Sequence, residues 1–220
     1  LEKQVCFLDD NPDYILTGCD AEYIDECGGH LFNFHCIGYA HEEIMQQLFE
    51  YCPFIHSGVM FRKDIVIKAG GYSQDAHNFE DYLLWVQLAK FGRYYNTPEQ
   101  LIKVRFNCSS ATIDEKWRGR RFRKLKKNII LRGIVTKEEG DELLSIIKSQ
   151  DVQRIKEGAY YALCGKKFLV NNHQPSKARE HLTRAIHFNP FRFDNYALYM
   201  LSFFPWPFIH WLYRQSQNKI

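Results

Sequence analysis

The sequence predicts an α/β unit over residues 1–112 followed by an all-helical region over 113–220. Two observations predict it. Short apolar runs alternate with amphipathic stretches through the first part of the chain, the pattern of strands mixed with helices. From Asp114 the strand-like runs stop, and a charge-rich, helix-periodic pattern takes over, which places the boundary near residues 110–116.

Each element has a local reason. Residues 1–10 end a helix at Asn11-Pro12, because the residue before a proline is pushed out of the helical region. Tyr14 to Cys19 reads as an apolar strand, and Ala21 to Asp25 continues extended. Gly28-Gly29 makes a turn, and Leu31 to Phe34 a further strand. His41 to Tyr51 places Ile44, Leu48 and Tyr51 on one helical face. Val59-Met60-Phe61 reads as a buried strand. Asp64 is expected to cap a helix over Ile65 to Ala69, which Gly70-Gly71 ends. Glu80 to Phe91 is a strong helix stopped by Gly92, and Tyr94 to Asn96 and Leu101 to Phe106 read as the last two strands. Two or three helices are expected over 115–155 and a helix pair over about 156–200, then an aromatic tail.

Composition narrows the function classes. The chain is 45% hydrophobic and 25% charged, ordinary for a folded domain. The 17 Phe, 13 Tyr and 4 Trp suit a sugar-handling surface and suit a large core equally. A net charge of +3 is too small to imply nucleic acid. Seven cysteines, an odd number with no Cys-x-x-Cys pair, argue against a disulfide framework, a zinc site or a metal protein built on scattered Cys and His. They read as reduced thiols, most of them buried, in a cytoplasmic protein. No signal peptide is visible, and no apolar run reaches the roughly 18 residues needed to span a bilayer. The chain opens on Leu1 directly in an amphipathic pattern, and reads as a fragment of a longer domain.

The chemistry concentrates in three blocks: Phe54-Ile55-His56-Ser57-Gly58-Val59-Met60-Phe61-Arg62-Lys63, Ala69-Gly70-Gly71-Tyr72, and Phe79-Glu80-Asp81-Tyr82-Leu83-Leu84-Trp85-Val86-Gln87-Leu88-Ala89. Glu80 and Asp81 open a helix whose apolar residues, Tyr82, Trp85, Val86 and Ala89, anchor it in the core. Carboxylates at a helix N-terminus are favoured in the ionised form, by roughly 0.3–1 kcal/mol when exposed. A held, ionised carboxylate is what a general base requires. Acidic first-turn residues are also common with no function. His56 can likewise be a satisfied strand-end histidine, Arg62 a fold-level cation, and Gly70-Gly71 a plain helix stop.

In this order and spacing, the blocks resemble the C-terminal half of the catalytic domain of glycosyltransferase family 2, which has the GT-A fold. Phe91-Gly92 to Pro98 and Leu101 to Arg105 fit the same order. Lys3-Gln4-Val5 to Asn11-Pro12, then Ile24-Asp25, resemble the stretch just after the family's Asp-x-Asp, so the resemblance covers about residues 1–112. It implies inverting transfer of a sugar, of the hexosyltransferase type, from a nucleotide-sugar donor to a hydroxyl of a glycan or lipid-linked acceptor in polysaccharide biosynthesis. It gives the general-base role to Asp81 and an orienting role to Glu80. His56, Arg62, Gly70, Gly71, Arg105 and Asn107 are the implied substrate-binding residues. Many relatives carry Arg-x-His where this chain has Arg105-Phe106-Asn107, and Asn is a poor ligand for a borderline metal. No Asp-x-Asp stands in the corresponding place. The Mg²⁺ or Mn²⁺ expected for the intact enzyme would therefore have its ligands upstream, none in this chain, and the chain alone is expected to be inactive. The alternative is a catalytically inert binding module that recruits a partner through its helical region.

Lys116, Arg118, Arg120, Arg121, Arg123, Lys124, Lys126 and Lys127 form a basic amphipathic stretch with Phe122, Leu125 and Ile129 on one face. It reads as a solvated face packed on the catalytic domain, or as attraction to an anionic membrane surface at the inner face of a membrane. No nucleic-acid motif accompanies it. Gly165, Ala178, Leu182, Ala185 and Pro190 nearly match the spacing of one tetratricopeptide-type helix pair. The Phe203 to Phe208 segment is too broken by proline to span a membrane, and reads as a helical cap or an interfacial segment.

Overall fold

The computed structural model describes residues 1–108 and 118–217. Helix α1 (Glu2–Asp10) ends at Asn11, whose side-chain amide donates to the Phe7 carbonyl at 2.8 Å and satisfies one of the helix's last acceptors. Strand β1 (Tyr14–Ile24) is central to a four-stranded sheet. It pairs with β2 (His30–Phe34), β3 (Met60–Phe61) and β4 (Arg93–Arg105). The β1–β3 pairing is antiparallel, with Leu16 opposite Phe61 and Thr17 opposite Met60. Helix α2 (His41–Gln47) buries Ile44, and α3 (Lys63–Lys68) and α4 (Glu80–Leu88) follow β3. Then come α5 (Arg120–Arg132), α6 (Lys137–Lys148), α7 (Val152–Val170), α8 (Pro175–Phe188), α9 (Phe193–Leu201) and α10 (Trp206–Gln217). An α/β part followed by helices is the architecture expected.

Several local expectations change. The buried strand at 59–61 is only two residues long and half-buried, because His56–Gly58 folds as a short 3-10 turn. Asp64 does not cap α3; the helix begins two residues earlier than expected, at Lys63, after Arg62. The two strands expected over 94–106 are one, β4. Of the seven free cysteines, only Cys19, Cys36 and Cys164 are buried.

The chain divides into two compact units. The first holds Leu1–Glu22, Asn33–Val104 and Arg118–Ser149; the second holds Tyr23–Phe32 and, among the described residues, 105–108 and 150–217. The expected boundary at 110–116 falls wholly within residues 109–117, which lie outside the described residues, as does Lys116. The division differs from a cut at 112–113, since α5 and α6 belong to the first unit. The physical reason is their apolar stripe: Phe122, Ile129, Ile130 and Leu143 are buried in one cluster with Leu16, Phe54, Trp85 and Tyr94. The basic face of α5 is paired in part, Arg121 with Glu142, Lys127 with Glu50 and Arg132 with Glu139. Gly133, in the left-handed region (φ 70°), closes α5, and Thr136 with Glu139 forms a reciprocal capping box that starts α6.

In the second unit α7 and α8 form a helical hairpin. Ala178, Leu182 and Ala185 are fully buried, and a Cβ on Gly165 would stand 2.7 Å from the Leu182 side chain, so glycine permits the close helix approach.

A buried carboxylate fixes the chain after β2 in the first unit. Asp20 accepts from the Cys36 N–H at 2.9 Å, lies 2.6 Å from His35 Nδ1, and accepts from the Tyr39 hydroxyl at 3.1 Å. Burial alone would raise its pKa, but the hydrogen bonds from Cys36, His35 and Tyr39 hold it below the ordinary value. Asp20→Ala is expected to cost roughly 2–3 kcal/mol at neutral pH, because it strands the buried Cys36 N–H and removes the partner of His35 and Tyr39. Because the folded pKa is depressed, this contribution is present above the unfolded pKa of about 3.9 and is lost as pH falls through the folded value. Urea denaturation of both proteins at pH 7 and in strong acid checks this: a gap at pH 7 that closes in acid is expected, and equal midpoints at pH 7 would contradict it.

Candidate active site

The site is built on the first turn of α4 in the first unit. Phe79 before it and Tyr82, Leu83, Leu84, Trp85, Val86 and Leu88 within it are buried. The helix is therefore apolar on nearly every side, more than the one face its spacing suggested, and its N-terminal end is held rigidly. Glu80 is its first residue. Asp81 keeps 20% of its side chain exposed. One carboxylate oxygen of Asp81 accepts from the Tyr82 N–H at 2.7 Å; the other lies 3.8 Å from His56 Nδ1.

His56 comes from the 3-10 turn before β3. Its ring meets the Trp85 indole edge-on at 6.0 Å, and its Nε2 is 3.0 Å from the Tyr72 hydroxyl. A Tyr72 hydroxyl that donates to Nε2 leaves the ring proton on Nδ1, facing Asp81. Tyr72 stays protonated, because burial and then the charges of Asp81 and Glu80 raise its pKa. Glu80 and Tyr72 line an open cleft of about 370 Å³ together with His77 and Asn78.

Burial raises the Asp81 pKa above the ordinary carboxyl value. The Tyr82 N–H, His56 and Lys126 pull it down and Glu80 pushes it up, but burial prevails. The helix dipole argument alone pointed the other way, because it took the carboxylate to be solvated. A raised pKa makes the carboxylate a stronger proton acceptor, which suits a general base.

The expected site residues separate into groups. His56, Glu80 and Asp81 come together at one end of α4. Tyr72, which sequence reasoning did not single out, joins them; its signal was its place directly after Gly70-Gly71. Lys126 of α5 was also missed, because α5 was assigned to a separate helical region; its ammonium lies 5.4 and 5.2 Å from the Phe79 and Tyr82 rings. Gly70 and Gly71 adopt positive φ of 95° and 72°, and a Cβ on either would meet no atom within 4 Å. Their backbone conformation, the stop of α3, accounts for both. Arg62 takes the fold-level role: its guanidinium donates to the Tyr14 carbonyl at 2.9 Å and the Leu8 carbonyl at 2.5 Å, clamping α1 to β1. Arg105 belongs to the second unit, where it donates to the carbonyls of Asp25 and Glu26 at 3.0 and 2.8 Å and holds the turn after β1. Asn107 belongs to that unit as well. Among the described residues, no group of three or more His, Cys, Asp and Glu could hold a metal. The described residues therefore offer no ligand set for the Mg²⁺ or Mn²⁺ that the resemblance implies.

A rigidly held carboxylate of raised basicity, 3.8 Å from a histidine and next in the chain to Glu80, which lines an open cleft, makes a site able to take a proton from a hydroxyl. No family profile matches the chain. It is 32% identical over 117 residues to the amylovoran biosynthesis glycosyltransferase AmsE of Erwinia amylovora, covering 53% of this chain and 43% of that protein. It is 32% identical over 105 residues to an uncharacterized glycosyltransferase of Haemophilus influenzae, covering 47% of this chain and 38% of that protein. The matched part thus spans less than half the length of either relative, and both are glycosyltransferases.

Proposed function

We propose that the chain is the acceptor-side part of an inverting family 2 glycosyltransferase with a GT-A fold, acting in polysaccharide biosynthesis. The observation that carries this reading is Asp81: a half-buried, basicity-raised carboxylate on the first turn of α4, 3.8 Å from His56. The two glycosyltransferase relatives support the reaction class, and the name of the Erwinia protein supports the polysaccharide context.

In this proposal Asp81 accepts the proton of an acceptor hydroxyl as that oxygen attacks the anomeric carbon of a nucleotide-sugar. The bond from the anomeric carbon to the diphosphate breaks, and its electron pair leaves with the nucleotide diphosphate. Glu80, lining the cleft, orients the acceptor. His56, held by Tyr72 and Trp85, steadies the carboxylate. The acceptor is a glycan or lipid-linked hydroxyl, and the reaction is placed in the cytoplasm. The donor pocket and the ligands of a divalent metal belong outside this chain.

The test is sugar transfer by the complete product of the gene, with a panel of nucleotide-sugars, hydroxyl acceptors and Mg²⁺ or Mn²⁺. Proton NMR of the product is expected to show the anomeric configuration inverted, because one displacement occurs. Retention would require a double displacement or a same-face substitution and would exclude Asp81 as the base of a single displacement. No transfer from any donor in the panel would remove the reading.

A further inference from the structure

The second unit carries a basic, aromatic surface that the proposed chemistry does not use. Phe204, Phe208 and Trp211 are 51%, 41% and 55% exposed, yet their rings stand in series, with centroids 5.2 and 6.2 Å apart. This makes a continuous apolar strip from the end of α9 along α10. Cations sit at its borders. The Arg179 guanidinium lies 4.8 Å from the ring of exposed Phe203, and Lys166 Nζ lies 5.5 Å from the ring of Tyr213. From Gly158 to Ile220 the sequence holds eight Lys and Arg against two acidic residues. Both acids are neutralised locally, Glu180 by Arg184 at 3.2 Å and Asp194 by Arg192 at 2.6 Å.

Contiguous exposed apolar surface marks an interaction site, and the surrounding charge says with what. Aromatic rings favour the headgroup level of a bilayer, where the ring is dehydrated while nearby Lys and Arg meet lipid phosphates. We propose that the α9–α10 strip docks the protein on an anionic membrane surface. A second copy of the chain fits worse, since it would bring the same net positive charge against itself. Helix α5, the other basic stretch, is not the docking element, because its apolar stripe is already buried in the first unit and several of its cations are paired. No helix among the described residues is long and apolar enough to cross a membrane, so the contact is peripheral in this proposal.

Co-sedimentation of the complete protein with vesicles tests it. Vesicles of equal parts phosphatidylcholine and phosphatidylglycerol are expected to bind the protein at low salt. Phosphatidylcholine alone, or high salt, should weaken binding about tenfold or more, because screening removes the headgroup attraction. Phe204→Ser, Phe208→Ser and Trp211→Ser together should lower partitioning onto the mixed vesicles by about tenfold or more, with unchanged far-ultraviolet circular dichroism, since all three side chains are exposed. Lys166→Gln with Arg179→Gln should weaken binding to mixed vesicles and leave the weak binding to neutral ones as it was. Three results would overturn the proposal: absence of wild-type binding to the anionic vesicles, full binding by the triple variant, or a dimer in solution that the triple variant abolishes while vesicle binding is unaffected.

Discussion

Trp85→Ala is expected to remove about 3–5 kcal/mol from the stability of the first unit, a large share of the roughly 5–15 kcal/mol that holds a domain together. Trp85 is completely buried, and its indole packs edge-on against Phe54 at 5.9 Å and His56 at 6.0 Å, and at a tilt against Phe61 at 6.1 Å. Removing it opens a cavity under the 3-10 turn and β3 at once. Its indole N–H has no hydrogen-bond partner among the described residues. Trp85→Phe should therefore cost far less, because the ring's packing is largely kept and an unsatisfied donor is removed. Urea midpoints of the two variants check both statements. The same side chain ties stability to function: without the indole, His56 loses one of its two supports, and transfer should fall even in the protein that remains folded. A Trp85→Ala protein within about 1 kcal/mol of wild type would show that this core is not what holds the site.

Much of this was legible in the residues. The α/β part, the helix opening on Glu80-Asp81 and the glycine stop after α3 follow from apolar periodicity and turn chemistry, which act locally. The pairing of His56 with Asp81 was not legible in the sequence, since 25 positions separate them and geometry alone brings them to 3.8 Å. The failures have a common cause in tertiary contact. The choice for Arg62 between a fold-level and a substrate-orienting cation needed the structure, where the Tyr14 and Leu8 carbonyls occupy its guanidinium. The loss of strand signals put α5 beyond the boundary, whereas its reading as a basic face packed on the α/β part agrees with Phe122, Ile129 and Ile130 in the first unit's core, with Lys126 beside the rings that flank Asp81. The ionisation of Asp81 was argued from the helix dipole, a term of roughly 0.3–1 kcal/mol at an exposed position, and burial outweighs it.

The most direct measurement is sugar transfer by Asp81→Asn in the complete gene product, beside calorimetric affinity for the nucleotide. The amide keeps the shape of the carboxylate and cannot accept the proton, so turnover should fall about 10²–10⁴-fold while nucleotide affinity stays near that of wild type. Glu80→Gln should cost less, since its proposed role is orientation. Stability supplies a control with a definite sign. A carboxyl whose folded pKa is raised stabilises the fold fully below its unfolded pKa and loses that contribution as pH rises through the folded value. Asp81→Asn should therefore match or exceed wild type in thermal stability at pH 7, with any advantage gone in strong acid. Lost turnover in a protein that is at least as stable and still binds nucleotide is the result the account predicts. Full turnover in Asp81→Asn would contradict it.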